Sequence, residues 1–234
     1  MKLAIMQPYL FPYIGYYQLV NAVDKFVVYD DVNFIKQGWI NRNAILVNGK
    51  PNLFTVPLEN QSSFSKINET LINQKIYPLW KKKFLKTIEQ NYNKAPFFQE
   101  VFPIIQSTFD IEAKNIAALA AKSLKTISNY IGITTVFEDS STVYQNQNLS
   151  SQNRVLDICK KENTSVYINP IGGLELYSVK DFSENNITLH FLKSGNVSYK
   201  QFNPEFVPNL SIIDVLMFND VNTIKEFLTN YELI

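Results

Sequence analysis

The opening βαβ pattern constrains the fold of this chain more than any other feature. Leu3-Ala4-Ile5-Met6 reads as a short buried strand, and a loop carrying Pro8 and Pro12 follows. Gly15 through Ala22 reads as a helix, and Phe26 to Tyr29 as the next strand. A strand–loop–helix–strand order of this kind makes a right-handed crossover between parallel strands. Such sheets bind their ligands outside the carboxyl ends of the strands, so the residues just past each strand are where chemistry is expected.

The rest of the pattern extends that sheet. Ala44 to Val47 and Leu53 to Val56 flank Asn48-Gly49, a strong hairpin signal, which predicts an antiparallel insertion over 44–57 beside the parallel sheet. Residues 76–131 read as helical, with Trp80, Phe84, Leu85 and Ile88 at helical spacings and Pro96 and Pro103 as punctuation. Ile116, Leu119, Ala120, Leu124, Ile127 and Ile131 mark a buried stripe ending near Gly132. Strands are expected at Thr134–Phe137, Ser165–Ile168 and Ile187–Leu192, separated by a polar loop from Ser140 to Ser151 and a helix from Arg154 to Lys161. Ser211 and Val221 begin two closing helices. No repeat or long linker interrupts the 234 residues, so the expectation is one α/β domain, 1–234, around a predominantly parallel sheet.

Composition removes several function classes. A formal net charge of +1 gives no field for nucleic acid or an acidic membrane surface, and no run of about 18 apolar residues offers a span. Pro8 and Pro12 break the apolar N-terminal run and no small-residue cleavage site follows it, so it reads as strand and loop rather than a signal peptide. A single cysteine, Cys159, forbids an internal disulfide and favours a reducing compartment, hence a cytoplasmic location. Cys159 follows Val155, Leu156 and Ile158 on a helix and reads as core. The lone His190 points away from the face of Ile187, Leu189 and Phe191 and reads as structural; no second histidine exists for a metal cluster.

The strand exits are densely polar. Residues 6–18 hold two prolines, a glycine and four tyrosines, with Gln7 directly after the first strand. The second strand delivers Asp30-Asp31, and Lys36, Trp39, Asn41, Arg42 and Asn43 follow within a dozen residues. Adjacent strand residues alternate faces, so one aspartate can face a ligand while the other braces the loop. Either could act as general base, and two carboxylates are also a normal start for a divalent-cation site; helix capping or a turn explains them as well. Among 22 basic residues only Arg42 and Arg154 are arginines, the side chain that grips carboxylate or phosphate in two-point fashion. Trp39 offers a flat face to a sugar or base, and Gly15 could open the first helix toward an anion. Gly172-Gly173, bracketed by Tyr167 and Tyr177, should leave the sheet on the same edge. Asn209 or Ser211 would cap a late helix, with Asp214 favouring its positive end.

These residues carry a resemblance. Gln7-Pro8 with Pro12 and Gly15-Tyr16, then Asp30-Asp31, Lys36, Trp39 and Asn41-Arg42-Asn43, resemble the WbqC-like protein family. Tyr167 through Gly172-Gly173 to Tyr177, and Ser211-Ile212-Ile213-Asp214-Val215-Leu216, resemble its C-terminal signatures, so the likeness spans essentially the whole chain. The chain departs from the family pattern at Gly38, where a charged or polar residue often precedes the tryptophan, and at Asn169-Pro170, where Ser-Gly is expected. The resemblance implies a product of bacterial O-antigen and related surface-polysaccharide loci, with glycine (aminoacyl) transfer to an amino sugar as a suggested role. In fold, the opening order resembles the nucleotidylyltransferase superfamily, pantothenate synthetase included, which implies a Rossmann-like sheet. The triphosphate-binding His-x-Gly-His of that superfamily reads Tyr13-Ile14-Gly15-Tyr16 here, without either histidine.

The resulting expectation is a cytoplasmic transferase acting on a nucleotide-activated amino sugar with an acyl or aminoacyl donor. Asp30, Asp31 and Lys36 form its catalytic set, an aspartate deprotonating the amine. Lys36, Arg42 and Arg154 would bind diphosphate or the donor's anionic part, Trp39 would stack, and Gln7, Asn41 and Asn43 would orient hydroxyls. Tyr13, Gly15, Tyr16, Tyr167, Gly172, Gly173, Ser211 and Asp214 complete the expected substrate contacts. No cofactor motif is present, and a divalent cation at Asp30/Asp31 is the one cofactor considered. Nucleotidyl transfer and non-catalytic binding of a sugar nucleotide or partner enzyme are the competing functions.

Overall fold

The structure, a computed structural model, describes residues 1–110, 112–202 and 204–234; Ile111, within the expected helical segment, and Asn203 lie outside the described residues. The chain opens with β1 (Lys2–Met6), α1 (Ile14–Asn21) and β2 (Lys25–Val28), then forms the strands β3 (Arg42–Val47) and β4 (Lys50–Thr55). Three helices follow, α2 (Tyr77–Tyr92), α3 (Phe98–Thr108) and α4 (Ile116–Ile131), and lead to β5 (Val136–Glu138). The remainder is α5 (Ser151–Lys161), β6 (Val166–Pro170), α6 (Val179–Glu184), β7 (Thr188–Ser194), α7 (Ile212–Phe218), α8 (Val221–Thr229) and β8 (Tyr231–Leu233).

Six strands form one sheet in the order β5-β2-β1-β6-β7-β8, parallel throughout except for β8, which runs antiparallel to β7. Numbered within this sheet alone, the order is 3-2-1-4-5-6, so the winding reverses between β1 and β6. The exits of β1 and β6 therefore open on the same edge, with Gln7 beyond one and Ile171-Gly172-Gly173 beyond the other. β3 and β4 stand apart as a two-stranded antiparallel sheet, joined through Asn48 and Gly49 at φ 50° and 74°. Two consecutive positive φ values make the turn whose twist suits a two-residue hairpin.

Each sheet face has its own core. Leu3, Ile5, Val27 and Tyr167 pack with Val155, Ile158 and Cys159 of α5 and Phe182 of α6. Ala4, Phe26, Val28 and Ile168 belong to the larger cluster that holds α1, α4, α7, the hairpin and α2. Ile116, Leu119, Leu124, Ile127 and Ile131 of α4 are fully buried, each contributing about 1.5–3 kcal/mol of apolar burial. Asn115 caps α4 by accepting from the Ala118 N–H, and Gly132, left-handed at φ 76°, ends it. Pro103 lies inside α3 rather than ending it. No helix among the described residues is long and apolar enough to cross a membrane.

Candidate active site

Beyond Val28 the chain continues to alternate between faces, and the two aspartates part company. Asp31 turns toward α5 and Asp30 toward α4. Asp31 and Arg154 are 3% and 4% exposed, and Arg154 Nη2 contacts both Asp31 carboxylate oxygens at 2.5 Å. Arg154 Nε donates to Asn146 Oδ1 at 2.9 Å, and its guanidinium covers the Tyr29 ring at 4.9 Å. Gln147 Nε2 donates to Asp31 Oδ2 at 3.0 Å, and the Ser141 hydroxyl donates to Oδ1. Burial pushes the Asp31 carboxyl upward, but the Ser141 and Arg154 hydrogen bonds and the Arg154 charge outweigh it and hold the group below its usual range.

This closed pair corrects two expectations. Asp31 is not a free base, and Arg154 does not reach for a substrate; each occupies the other. Nor does the aspartate pair suit a divalent cation, since both oxygens of one member already face a guanidinium. No cluster of three or more His, Cys, Asp or Glu side chains able to hold a metal occurs among the described residues.

Asp30 is different. Its Oδ1 accepts from the Ser140 hydroxyl at 2.8 Å and the Ser141 N–H at 3.1 Å, while Oδ2 has no donor among the described residues. Burial raises its pKa, against the lowering effect of Ser140 and Ser141. Asp30 lines a cleft of about 280 Å³ with Asn115, Ala118, Lys122 and Lys125 of the α4 region and with Asp139.

A second opening gathers the other half of the polar run. Tyr9, Tyr13, Trp39, Asn43 and Asn209 line a cleft of about 390 Å³, and Trp39 is 47% exposed. The Arg42 guanidinium lies over the Trp39 ring at 5.3 Å and donates to the Gln37 carbonyl, bracing the tryptophan. Tyr13 and Asn209 also line an adjoining cleft with Ile14, Gly15, Ser194 and Tyr199, so these two residues are a wall common to both clefts, together called the groove. A Cβ on Gly15 would meet the Tyr13 ring and the Ser194 hydroxyl, so those two side chains would have to shift to admit one. The N-terminus of α1 faces the groove with no side-chain cap and no acidic residue in its first turn, an arrangement that favours an anion.

Several expected contacts are braces instead. Phe11 sits at φ 43°, and its carbonyl accepts from Asn43 Nδ2 at 2.7 Å and the Ser211 hydroxyl at 2.8 Å. The Ser123 hydroxyl accepts from the Phe11 N–H at 3.1 Å, and the Pro12 carbonyl accepts from the Ile212 N–H at 2.8 Å. The proline loop is thereby fixed, and Asn43 and Ser211 work on its backbone rather than on a ligand. Asn41 donates to the Val56 carbonyl, Tyr16 to the Gln7 carbonyl and Tyr167 to Asn169 Oδ1, all within the interior. Asp214 is fully buried in α7 and accepts from Tyr92, Tyr199 and Gln201 at 2.8, 2.7 and 2.7 Å. Gly173 is packed against Asn169 and Tyr177, whereas Gly172 stands open with nothing near it. Lys36 is exposed on the turn before Trp39, in neither cleft. Gln7 is half-buried past β1, its carbonyl held by Tyr16.

With this geometry in view, the chain matches the WbqC-like protein family over residues 7–226. The chain belongs to that family. It is also 30% identical over 221 residues to uncharacterized protein Rv1507c of Mycobacterium tuberculosis (strain ATCC 25618 / H37Rv), an alignment covering 93% of each chain. No solved structure matches it significantly. The WbqC-like region takes in the groove, the Asp31–Arg154 pair and the Asp214 hub alike.

Sequence reasoning missed Tyr9, Ser194 and Asn209 in the groove and Ser140, Ser141 and Gln147 around the aspartates. Asn209 was expected as an alternative cap of the late helix; Ser211 caps it, and Asn209 sits two residues ahead at φ 59°, a conformation asparagine tolerates. Ser140 to Gln147 fall in the loop already recognised as rich in Ser, Asn and Gln.

Proposed function

We propose that this WbqC-like protein is a cytoplasmic transferase that modifies a nucleotide-activated amino sugar in bacterial surface-polysaccharide assembly, with an acyl or aminoacyl group as the transferred unit. The observation that carries the reading is the groove: an exposed Trp39 braced by Arg42, facing Tyr9, Tyr13 and Asn209, beside the uncapped start of α1. Trp39 stacks on the sugar or base, and the α1 N–H groups receive the diphosphate. The strand order is that of Rossmann-like sheets, which supports a nucleotide-bearing ligand at this edge. Attack on an acyl carbon needs a neutral amine, and Asp30 is the carboxylate with an oxygen free to take the proton.

The test is intact-mass analysis of nucleotide amino sugars incubated with the protein and a panel of acyl and aminoacyl donors. A mass increase equal to one acyl group is expected, and Asp30→Ala should abolish it; unchanged turnover in that variant removes Asp30 as base. Trp39→Ala should weaken nucleotide-sugar binding about tenfold or more by calorimetry while leaving the circular dichroism unchanged, since the ring is half exposed. One observation favours a second reading, non-catalytic binding: Asp30 and Trp39 line separate clefts. That reading predicts tight nucleotide-sugar binding without a mass change under any donor.

A further inference from the structure

The cleft beside α4 holds three polar groups that the fold leaves unused. Asp30 is 5% exposed, yet its Oδ2 accepts no hydrogen bond among the described residues, although Oδ1 accepts from both Ser140 and Ser141. Oδ2 opens onto the cleft with no protein donor upon it, a position where an ammonium or hydroxyl of a ligand can reach it. Lys122 lines the same cleft and makes no ion pair among the described residues, whereas its neighbour Lys125 is held by Asp139 at 2.9 Å. The first turn of α4 adds a donor: Ile116 N–H goes to the Thr70 carbonyl, Ala118 N–H to Asn115 Oδ1 and Leu119 N–H to the Asn115 carbonyl. Only the Ala117 N–H of that turn has no acceptor among the described residues. Ala117, Ala118 and Ala121 make the floor, so little but backbone and methyl groups lies between the polar ends.

We infer that this cleft is a binding site for a small molecule bearing an ammonium and a carboxylate, the ammonium on Asp30 and the carboxylate on Lys122 and the α4 N-terminus. A ligand with a single charge would satisfy one end and leave the other bare, and a volume of about 280 Å³ suits an amino acid rather than a nucleotide. The inference shares Asp30 with the transfer reading, but it does not depend on any reaction, because binding alone reports on it.

Calorimetric titration of the full chain with glycine, glycolate and methylamine tests it; glycine is chosen because it carries both charged ends and nothing else. Glycine should bind saturably, and glycolate and methylamine about tenfold more weakly or worse, each lacking one charged end. Asp30→Asn, which keeps an acceptor for Ser140 and Ser141, and Lys122→Gln should each weaken glycine by about tenfold, while Trp39→Ala leaves it unchanged. Absence of glycine binding to the wild-type chain, or equal binding in wild type and Lys122→Gln, overturns the inference even where Asp30→Asn fails to fold. Glycine binding without any transfer product keeps this inference and removes the transfer reading; transfer without glycine binding does the reverse.

Discussion

Arg154 could not be exchanged for lysine where it stands. One guanidinium spans both oxygens of Asp31, reaches Asn146 through a second nitrogen and lays its face on Tyr29, and a lysine ammonium has no plane with which to do the last. Removing one partner of such a buried pair leaves the other uncompensated, at a cost of about 3–5 kcal/mol. Asp31→Asn should therefore lower the urea midpoint markedly at pH 7. The sign with pH follows from a carboxyl held below its usual value: its stabilisation is present above the unfolded pKa of about 3.9 and is lost as pH falls through the lower folded value. The gap between wild type and Asp31→Asn should narrow below about pH 4, and a gap that widens there would contradict the ion pair. At this scale the sequence marked the right residues without their roles. The rarity of arginine singled out Arg42 and Arg154, yet both brace neighbours, one a tryptophan and one an aspartate. Nothing in the order of residues reveals that Ser211 and Asn43, 168 positions apart by subtraction of their numbers, share the Phe11 carbonyl.

Among the elements, the hairpin was the most legible, because Asn48-Gly49 specifies both turn and register locally. Gly49 is at φ 74°, where a side chain is strained, so Gly49→Ala should cost about 1–2 kcal/mol by chemical denaturation. The same cost at Gly172, which has an ordinary φ and open space around it, would argue that the loss has another origin. The hairpin also enters the interior through hydrogen bonds: the Leu46 N–H donates to the Tyr92 hydroxyl, which donates to Asp214. That chain explains why Asp214 reads as part of a signature while touching no groove. The βαβ opening and α4 were equally plain, α4 because its apolar period coincides with its Asn115 cap and Gly132 stop. β8 was not foreseen; Tyr231–Leu233 is a strand of three residues whose partner among the described residues, β7, lies 37 or more positions upstream, from Ser194 paired with Tyr231. Propensity in so short a stretch carries almost no information.

Taken as a whole, the molecule has two cores divided by one sheet, and Cys159 lies fully buried in the smaller of them. Burial pushes its thiol up to about 12, so it is neither ionised nor reachable at neutral pH. A thiol reagent should leave the folded protein unlabelled and react promptly in urea, with a labelling midpoint matching the circular-dichroism transition; rapid labelling of the native chain would mean that the smaller core opens by itself. The mostly parallel sheet could be anticipated because it follows from chain order. The separation of Asp30 from Trp39 could not, because it depends on which way the thirteen-residue loop 29–41 leaves β2. The two outer strands of the sheet, β5 and β8, are each three residues long and carry Glu138 and Glu232. A foreign strand meeting either margin finds a ladder too short to extend and a charged side chain on it. Growth of this sheet by strand addition is thus blunted on both sides, which leaves the separate β3–β4 hairpin, the helical faces and the loops as the surfaces open to self-association.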